Sequence, residues 1–197
     1  MLVKICGITT LDDALQACEA GADALGFNFW PRSPRYIEPA AAATIIERLP
    51  GNVLLVGVFV DAPAARIEAI ARTAGIEVAQ VHGSAEGLRL RWWQAWPATL
   101  ERIRERMEES PAEAFLIDTP AGEMRGGTGR TFDWSLASHL PRRVVLAGGL
   151  GPDNVAAAID AARPWGVDAC SRLEREPGRK DHAKVAAFIR AARQREL

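Results

Sequence analysis

Short β-type runs recur along this chain with helical patterns between them, and that exchange constrains the fold more than any other feature of the sequence. The runs fall at 2–6, 24–29, 53–60, 77–81, 91–96, 114–118, 143–147 and 166–170. The helical patterns fall at 11–20, 40–49, 64–73, 100–109, 134–139, 153–162 and 181–195. Strands that alternate with helices in this way form βαβ units around a parallel sheet. Eight such units suggest that the sheet closes on itself. The expected fold class is therefore α/β, a (βα)8 TIM barrel. At 197 residues the chain can enclose one sizeable core, and its composition offers no linker, so 1–197 reads as a single domain.

Local signals refine this outline. Thr10 precedes Leu11-Asp12-Asp13 and Asp133 precedes Trp134, both in the position of a helix cap. Pro63 and Pro152 stand where a first helical residue tolerates a missing N–H. Only about nine residues separate the fourth and fifth runs, scarcely one helical turn plus connections, so the fourth outer helix is expected to be short or missing. That gap adjoins Trp92, Trp93 and Trp96, with Trp92 and Trp96 on one strand face and Trp93 on the other. Ordinary core packing is the favoured reading of the three, and a small self-association patch the alternative.

Charge and cysteine usage exclude several function classes. Lysine plus arginine (24) nearly balances aspartate plus glutamate (25), a formal net charge of −1, which gives no electrostatic reason to expect nucleic acid or an anionic membrane. A small polar ligand fits better. Cys6, Cys18 and Cys170 make an odd count without metal-type spacing, and His82, His139 and His182 are scattered. Neither a disulfide framework nor a metal site is expected, and reduced cytoplasm is the expected compartment. No basic segment leads into an apolar run, and no window approaches eighteen uninterrupted apolar residues, so the expectation is a soluble, unexported chain.

In a parallel barrel, ligands collect where the strands end in carboxyl-terminal loops. The strand ends present Cys6, Asn28, His82, Asp118, Gly148-Gly149 and Cys170-Ser171. Lys4 and Cys6 share a face of the first strand, about 6–7 Å apart at ~3.3 Å per residue, and a nearby ammonium favours thiolate over thiol. Taken alone, a free cysteine at Cys6 is more commonly a small buried hydrophobe. Asp118 shares its face with Leu116 and points to the same mouth, where burial would raise its pKa and keep it available as a proton donor; a cap before Thr119-Pro120 is the plainer alternative. Gly148-Gly149, after a strand and just before a helix, could expose N–H groups to a phosphate, or could form a simple turn. The stretch Gly126-Gly127-Thr128-Gly129-Arg130 suits a mobile loop able to exclude water. Arg32 and Arg35, in Trp30-Pro31-Arg32-Ser33-Pro34-Arg35-Tyr36, could meet a planar carboxylate or lie solvated on the surface.

Taken in order, Lys4-Ile5-Cys6-Gly7-Ile8, Gly21-Ala22-Asp23-Ala24-Leu25-Gly26-Phe27, Ser33-Pro34-Arg35-Tyr36-Ile37, Val56-Gly57-Val58-Phe59-Val60 and Gln80-Val81-His82-Gly83 resemble the phosphoribosylanthranilate isomerases of tryptophan biosynthesis. Leu116-Ile117-Asp118-Thr119, Gly126 through Trp134, Leu146-Ala147-Gly148-Gly149-Leu150 and Pro177 through His182 extend the resemblance over nearly the whole chain. It implies a cofactor-free Amadori rearrangement of N-(5-phosphoribosyl)anthranilate to the 1-amino-1-deoxyribulose phosphate. By matching motif, Cys6 is the general base and Asp118 the general acid. Arg35 holds the anthranilate carboxylate, and Gly148, Gly149 and Ser171 hold the phosphate. His82 and Arg172 complete the expected substrate-binding set, and the expected partner is a small phosphosugar, met by a monomer or weak homodimer.

Two departures stand out. In Asp168-Ala169-Cys170-Ser171-Arg172-Leu173-Glu174 the family usually shows a serine pair followed by glycine, so Cys170 replaces one serine and Arg172 the glycine. At a position of positive φ, the arginine costs roughly 1 kcal/mol or more. Paired with phosphate it gains about 1.5–3 kcal/mol. The short stretch after His82-Gly83 is the second departure. A catalytically impaired phosphosugar-binding barrel is the alternative these departures support, and the histidine-pathway aminoaldose isomerases, with two-phosphate substrates, are the neighbouring enzyme class.

Overall fold

The computed structural model describes residues 1–99, 101–119 and 132–195. Within it the chain forms strands β1 (Leu2–Cys6), β2 (Ala24–Asn28), β3 (Leu54–Val60), β4 (Val78–His82), β5 (Trp92–Pro97), β6 (Ala114–Asp118), β7 (Val144–Leu146) and β8 (Gly166–Ala169). Every neighbouring pair is parallel, and β8 returns to pair with β1, so the sheet is a closed eight-stranded barrel. Helices α1 (Leu11–Glu19), α2 (Pro39–Ile46), α3 (Ala64–Ala74), α4 (Ile103–Glu109), α5 (Val155–Ala162) and α6 (His182–Arg193) lie in the connections and after the last strand. The expected (βα)8 barrel is observed.

Strand composition explains the closure. A parallel sheet covered on both faces needs apolar residues at successive positions. Ala24, Val56, Val78, Trp93, Ala95, Ala114, Leu116, Val145 and Ala147 form the inner cluster. Their chain neighbours, among them Leu25, Phe115, Ile117 and Leu146, pack outward with Val155, Val185 and Phe188 of the helices. Trp93 is wholly buried inside, edge-on to Trp165 with ring centroids 5.9 Å apart. Trp92 and Trp96 are half-buried against the outer cluster, with Trp96 tilted over Phe115 at 5.0 Å. The tryptophans are therefore core residues. Among the described residues, the exposed large apolar side chains are Leu15 and Leu136 instead.

No helix is described between β4 and β5, as the nine-residue spacing requires. The pattern at 134–139 forms only a 3-10 turn, Trp134–Ala137, capped by Asp133, whose carboxylate accepts from the Ser135 N–H at 3.0 Å. Thr10 caps α1 by accepting from the Asp13 N–H at 3.2 Å. The two prolines sit differently from expectation. Pro63 is the extended residue before α3 and not its first helical one. Pro152 lies in a turn, and α5 begins at Val155 because the Asn154 side chain ties that turn together: its Oδ1 accepts from the Gly151 N–H at 2.8 Å and its Nδ2 donates to the Gly149 carbonyl at 2.9 Å.

A small antiparallel hairpin, β9 (Glu174–Glu176) and β10 (Arg179–Lys180), follows β8 and a 3-10 turn at Ser171–Leu173. It turns through Gly178, at φ 83°. The chain then passes Asp181, which caps α6 by accepting from the Ala183 and Lys184 N–H groups. No described helix is long and apolar enough to cross a membrane.

Candidate active site

A cavity of about 290 Å³ opens at the carboxyl ends of the strands. It is lined by Cys6 from β1, Asn28 from β2, Val58 from β3, Gln80 and His82 from β4, Asp118 from β6, Asp168 and Ala169 from β8, and the loops holding Arg35, Gly148, Gly149, Cys170 and Ser171. The closed parallel topology gathers residues far apart in sequence around this one space. Of the residues expected from the sequence, Cys6, Asp118, Arg35, His82, Gly148, Gly149 and Ser171 line it.

Cys6 is 8 % exposed and faces the cavity. Two residues earlier on the same face, Lys4 is wholly buried and donates from Nζ to Asp168 Oδ1 at 2.8 Å. This partner comes from strand register: Lys4 and Asp168 are opposed across β1 and β8. Burial works against the Lys4 ammonium, but Asp168 and Cys6 outweigh it and keep it charged. The Cys6 thiol is lowered to about 7, chiefly by the hydrogen bond from Cys170; burial opposes this, and Lys4 and Lys180 assist it. The Cys170 thiol is pushed up by the same contact and by burial.

Asp118, at the end of β6, accepts at Oδ1 from the Thr119 N–H at 2.7 Å. Burial pushes its carboxyl up to about 6, with the Asp168 charge adding to it and the Thr119 bond and Lys4 opposing. The cavity therefore holds a thiol acidified toward neutrality and a carboxyl raised toward it, the pairing that general base and general acid chemistry requires.

Around Cys170 lies a buried ionic cluster. Lys180 Nζ donates to Glu174 Oε1 at 3.0 Å and to the Cys170 carbonyl at 3.3 Å, and lies 3.7 Å from Cys170 Sγ. Glu174 accepts two bonds from Arg35, at 2.9 Å from Nε and 2.8 Å from Nη2. Burial raises the Glu174 carboxyl, but Arg35 and Lys180 overcome this and hold it below the usual range. The Nε edge of Arg35 is thus committed to Glu174, and its Nη1 donors take no part in that pair. Arg32 lies exposed on the same wall.

Gly148 and Gly149 both take positive φ, 88° and 63°. A β-carbon at Gly148 would fall 2.2 Å from Thr119 Oγ1 and 2.8 Å from Asp118 Oδ1, so only glycine lets this loop pass the acid. The glycines do not abut a helix as expected, since the Asn154-tied turn intervenes. Arg172 stands behind the cavity wall, where it donates to the Gly149 carbonyl at 3.2 Å and to both Asp153 oxygens at 2.9 and 2.8 Å. Asp61, Arg102, His139 and Arg163 are the described non-glycine residues with positive φ, so Arg172 carries no such strain.

Sequence reasoning missed the roles of Asp168, Glu174, Lys180 and Gln80. Gln80 is 3 % exposed, lies 3.2 Å from His82 through its Nε2, and has an Oε1 without a partner. Alternation along β4 puts Gln80 on the face of His82 and could have found it. The segment 126–130 lies outside the described residues.

A family model for N-(5'phosphoribosyl)anthranilate (PRA) isomerase matches residues 3–191. The chain belongs to the PRA isomerase family. It is 48 % identical over 198 residues to the N-(5'-phosphoribosyl)anthranilate isomerase of Solibacter usitatus, covering 98 % of each chain. Among solved PRA isomerases, that of Thermotoga maritima superposes with a TM-score of 0.88 at 42 % identity, over 98 % of this chain and 99 % of that one. Another, solved in complex with reduced 1-(o-carboxyphenylamino)-1-deoxyribulose 5-phosphate, superposes with a TM-score of 0.84 at 40 % identity, over 98 % of this chain and all of the other.

Proposed function

We propose that this chain converts N-(5'-phosphoribosyl)anthranilate to 1-(2-carboxyphenylamino)-1-deoxyribulose 5-phosphate, with Asp118 as general acid and Cys6 as general base. The observation that carries the assignment of roles is one cavity lined by both groups, with their proton affinities brought close to neutrality from opposite directions. Family membership supports the substrate, as does the relative crystallised with the reduced form of that product.

Asp118 donates a proton to the furanose ring oxygen as the anilino nitrogen pushes open the C1–O bond, leaving a Schiff-base cation. The adjacent iminium acidifies the C2 hydrogen, and the Cys6 thiolate removes it. The C2–H electrons become the enolamine double bond, and tautomerisation delivers the ketone. Arg35 presents its remaining donors to the anthranilate carboxylate, with His82 beside the sugar. Backbone at Gly148 and Gly149 and the Ser171 region receive the phosphate. Arg172 adds positive charge behind this loop and fixes the Gly149 carbonyl. The three cysteines are free thiols, in keeping with action in a reducing cytoplasm, as a monomer or weak homodimer.

The test is direct. Purified chain is supplied with phosphoribosylanthranilate, loss of its fluorescence is followed, and the product is identified by mass after reduction. Continuous conversion is expected; no turnover with tight binding of the reduced product would leave only a phosphosugar-binding barrel.

A further inference from the structure

The barrel sets Cys170 beside the proposed base. Ile5 and Ala169 are the last opposed pair across β1 and β8, and Cys6 and Cys170 are the residues that follow them, Cys170 lying just past the end of β8. At that last pair the strands lie about 4.8 Å apart, inside the Cα separation of roughly 4.4–6.8 Å that a disulfide spans, and just beyond it the Cys6 and Cys170 thiols are hydrogen-bonded to each other. Both cysteines line the cavity, so their side chains share a face. A β-carbon on Gly7, the residue after Cys6, would come within 2.8 Å of Cys170 Sγ, which places that sulfur over the Cys6–Gly7 corner. Cys6 is buried, whereas Cys170 is partly exposed.

We propose that Cys6 and Cys170 form a redox modification site: a small peroxide entering the cavity converts them to an intramolecular disulfide, which switches the enzyme off reversibly. The chemistry balances. The Cys6 thiolate attacks one peroxide oxygen, the O–O bond breaks, and protonation of the departing hydroxide gives water and a Cys6 sulfenic acid. Cys170 sulfur then attacks the Cys6 sulfur, the S–O bond breaks, and the thiol proton leaves with hydroxide as a second water. The two thiols have lost two electrons and the peroxide has gained them.

The surroundings suit both steps. Lys4 supports the Cys6 anion, and Lys180, 3.7 Å from Cys170 Sγ, supports Cys170 as it gives up its proton. Glu174 Oε1, 3.8 Å from the same sulfur, is the neighbouring acceptor. A dithiol restores the pair by exchange. Cys18, the third cysteine, sits on α1 outside the cavity lining. The loss of turnover in this inference rests on Cys6 as the base, whereas disulfide formation does not.

The experiment treats the full chain with stoichiometric hydrogen peroxide and reads free thiols, intact mass, peptide linkage and turnover, before and after dithiothreitol. Expected are a fall from three free thiols to one, a mass lower by two hydrogens, a Cys6–Cys170 linked peptide, and turnover lost with the thiols and regained with them. Cys18→Ala forms the same link. Cys170→Ser, compared with its own reduced activity, forms no link and gains one oxygen at Cys6 as a sulfenic acid that dithiothreitol reduces; with excess peroxide it passes on to the sulfinic acid, which dithiothreitol does not reduce, whereas the linked pair is still restored. Oxygen gain at Cys6 in the unmodified chain, or a link through Cys18 or between chains, overturns the inference. A Cys6–Cys170 link that leaves turnover intact overturns the switch and, separately, Cys6 as base.

Discussion

Gly148 is the residue at which backbone, acid and loop meet, and Gly148→Ala separates two costs that the structure makes countable. The first is conformational: at φ 88° an added β-carbon brings roughly 1–2 kcal/mol of strain. The second is collision, because that carbon would lie 2.2 Å from Thr119 Oγ1, 2.6 Å from Thr119 N and 2.8 Å from Asp118 Oδ1. Backbone cannot yield as a flexible side-chain tip does, so the loop or the end of β6 must shift, and the 2.7 Å bond between Thr119 N and Asp118 is lost. Gly75→Ala is the matched control: φ there is 76°, it caps α3, and its nearest contact is an ordinary 3.4 Å to Ile46. Strain alone lowers Tm by about 2–8 °C in a chain of this size, and Gly75→Ala should show that loss with kcat unchanged. Gly148→Ala should melt lower than the control and lose about a hundredfold in kcat, the scale of a 1 Å misplacement of a reacting group. Differential scanning fluorimetry and steady-state kinetics read both. Equal Tm and equal kcat in the two variants would refute the reasoning that Gly148 sets the position of Asp118.

Other expectations follow from the same geometry. With Cys6 near 7 and Asp118 near 6, kcat/KM should rise with pH below about 6 as Cys6 deprotonates and fall above about 7 as Asp118 deprotonates. A profile flat to high pH would remove Asp118 as the acid. Lys4→Met strands the buried Asp168 without its 2.8 Å partner, so chemical denaturation should show a loss of about 3–5 kcal/mol, the usual result of breaking one side of a buried pair. Arg172→Gly removes a partly exposed pair with Asp153, worth about 1 kcal/mol or less. KM should rise only a few-fold because the guanidinium reaches the loop carbonyl and not the cavity; a hundredfold rise would show that it touches phosphate.

The parts of this molecule set by local sequence were readable, and those set by barrel register were not. The β3 run, and β6 up to Asp118, are apolar at successive positions because both faces are covered, and nine residues after β4 could not hold a helix. Alternation alone put Lys4 with Cys6. The partners of those residues, however, lie far along the chain: Asp168 is 164 residues from Lys4 and Glu174 is 139 from Arg35. Nothing in spacing near Arg35 shows that half of its guanidinium is already engaged. The delayed start of α5 was hidden for a related reason: Asn154 bonds back to Gly149 and Gly151, and that side chain overrides the helix-start signal of Pro152. The strain considered for Arg172 depended on a backbone angle, and the 3-10 turn at Ser171–Leu173 supplies one that any residue adopts.

The central claim is that a thiolate at residue 6 and a carboxylic acid at residue 118 move protons on one sugar phosphate. Turnover of phosphoribosylanthranilate by Cys6→Ala and by Asp118→Ala, each compared with the unmodified chain and each checked for an unchanged melting profile, tests it most directly. The account predicts that either change lowers kcat by about 10²–10⁴ while binding of the reduced product persists. Full turnover in either folded variant would contradict it.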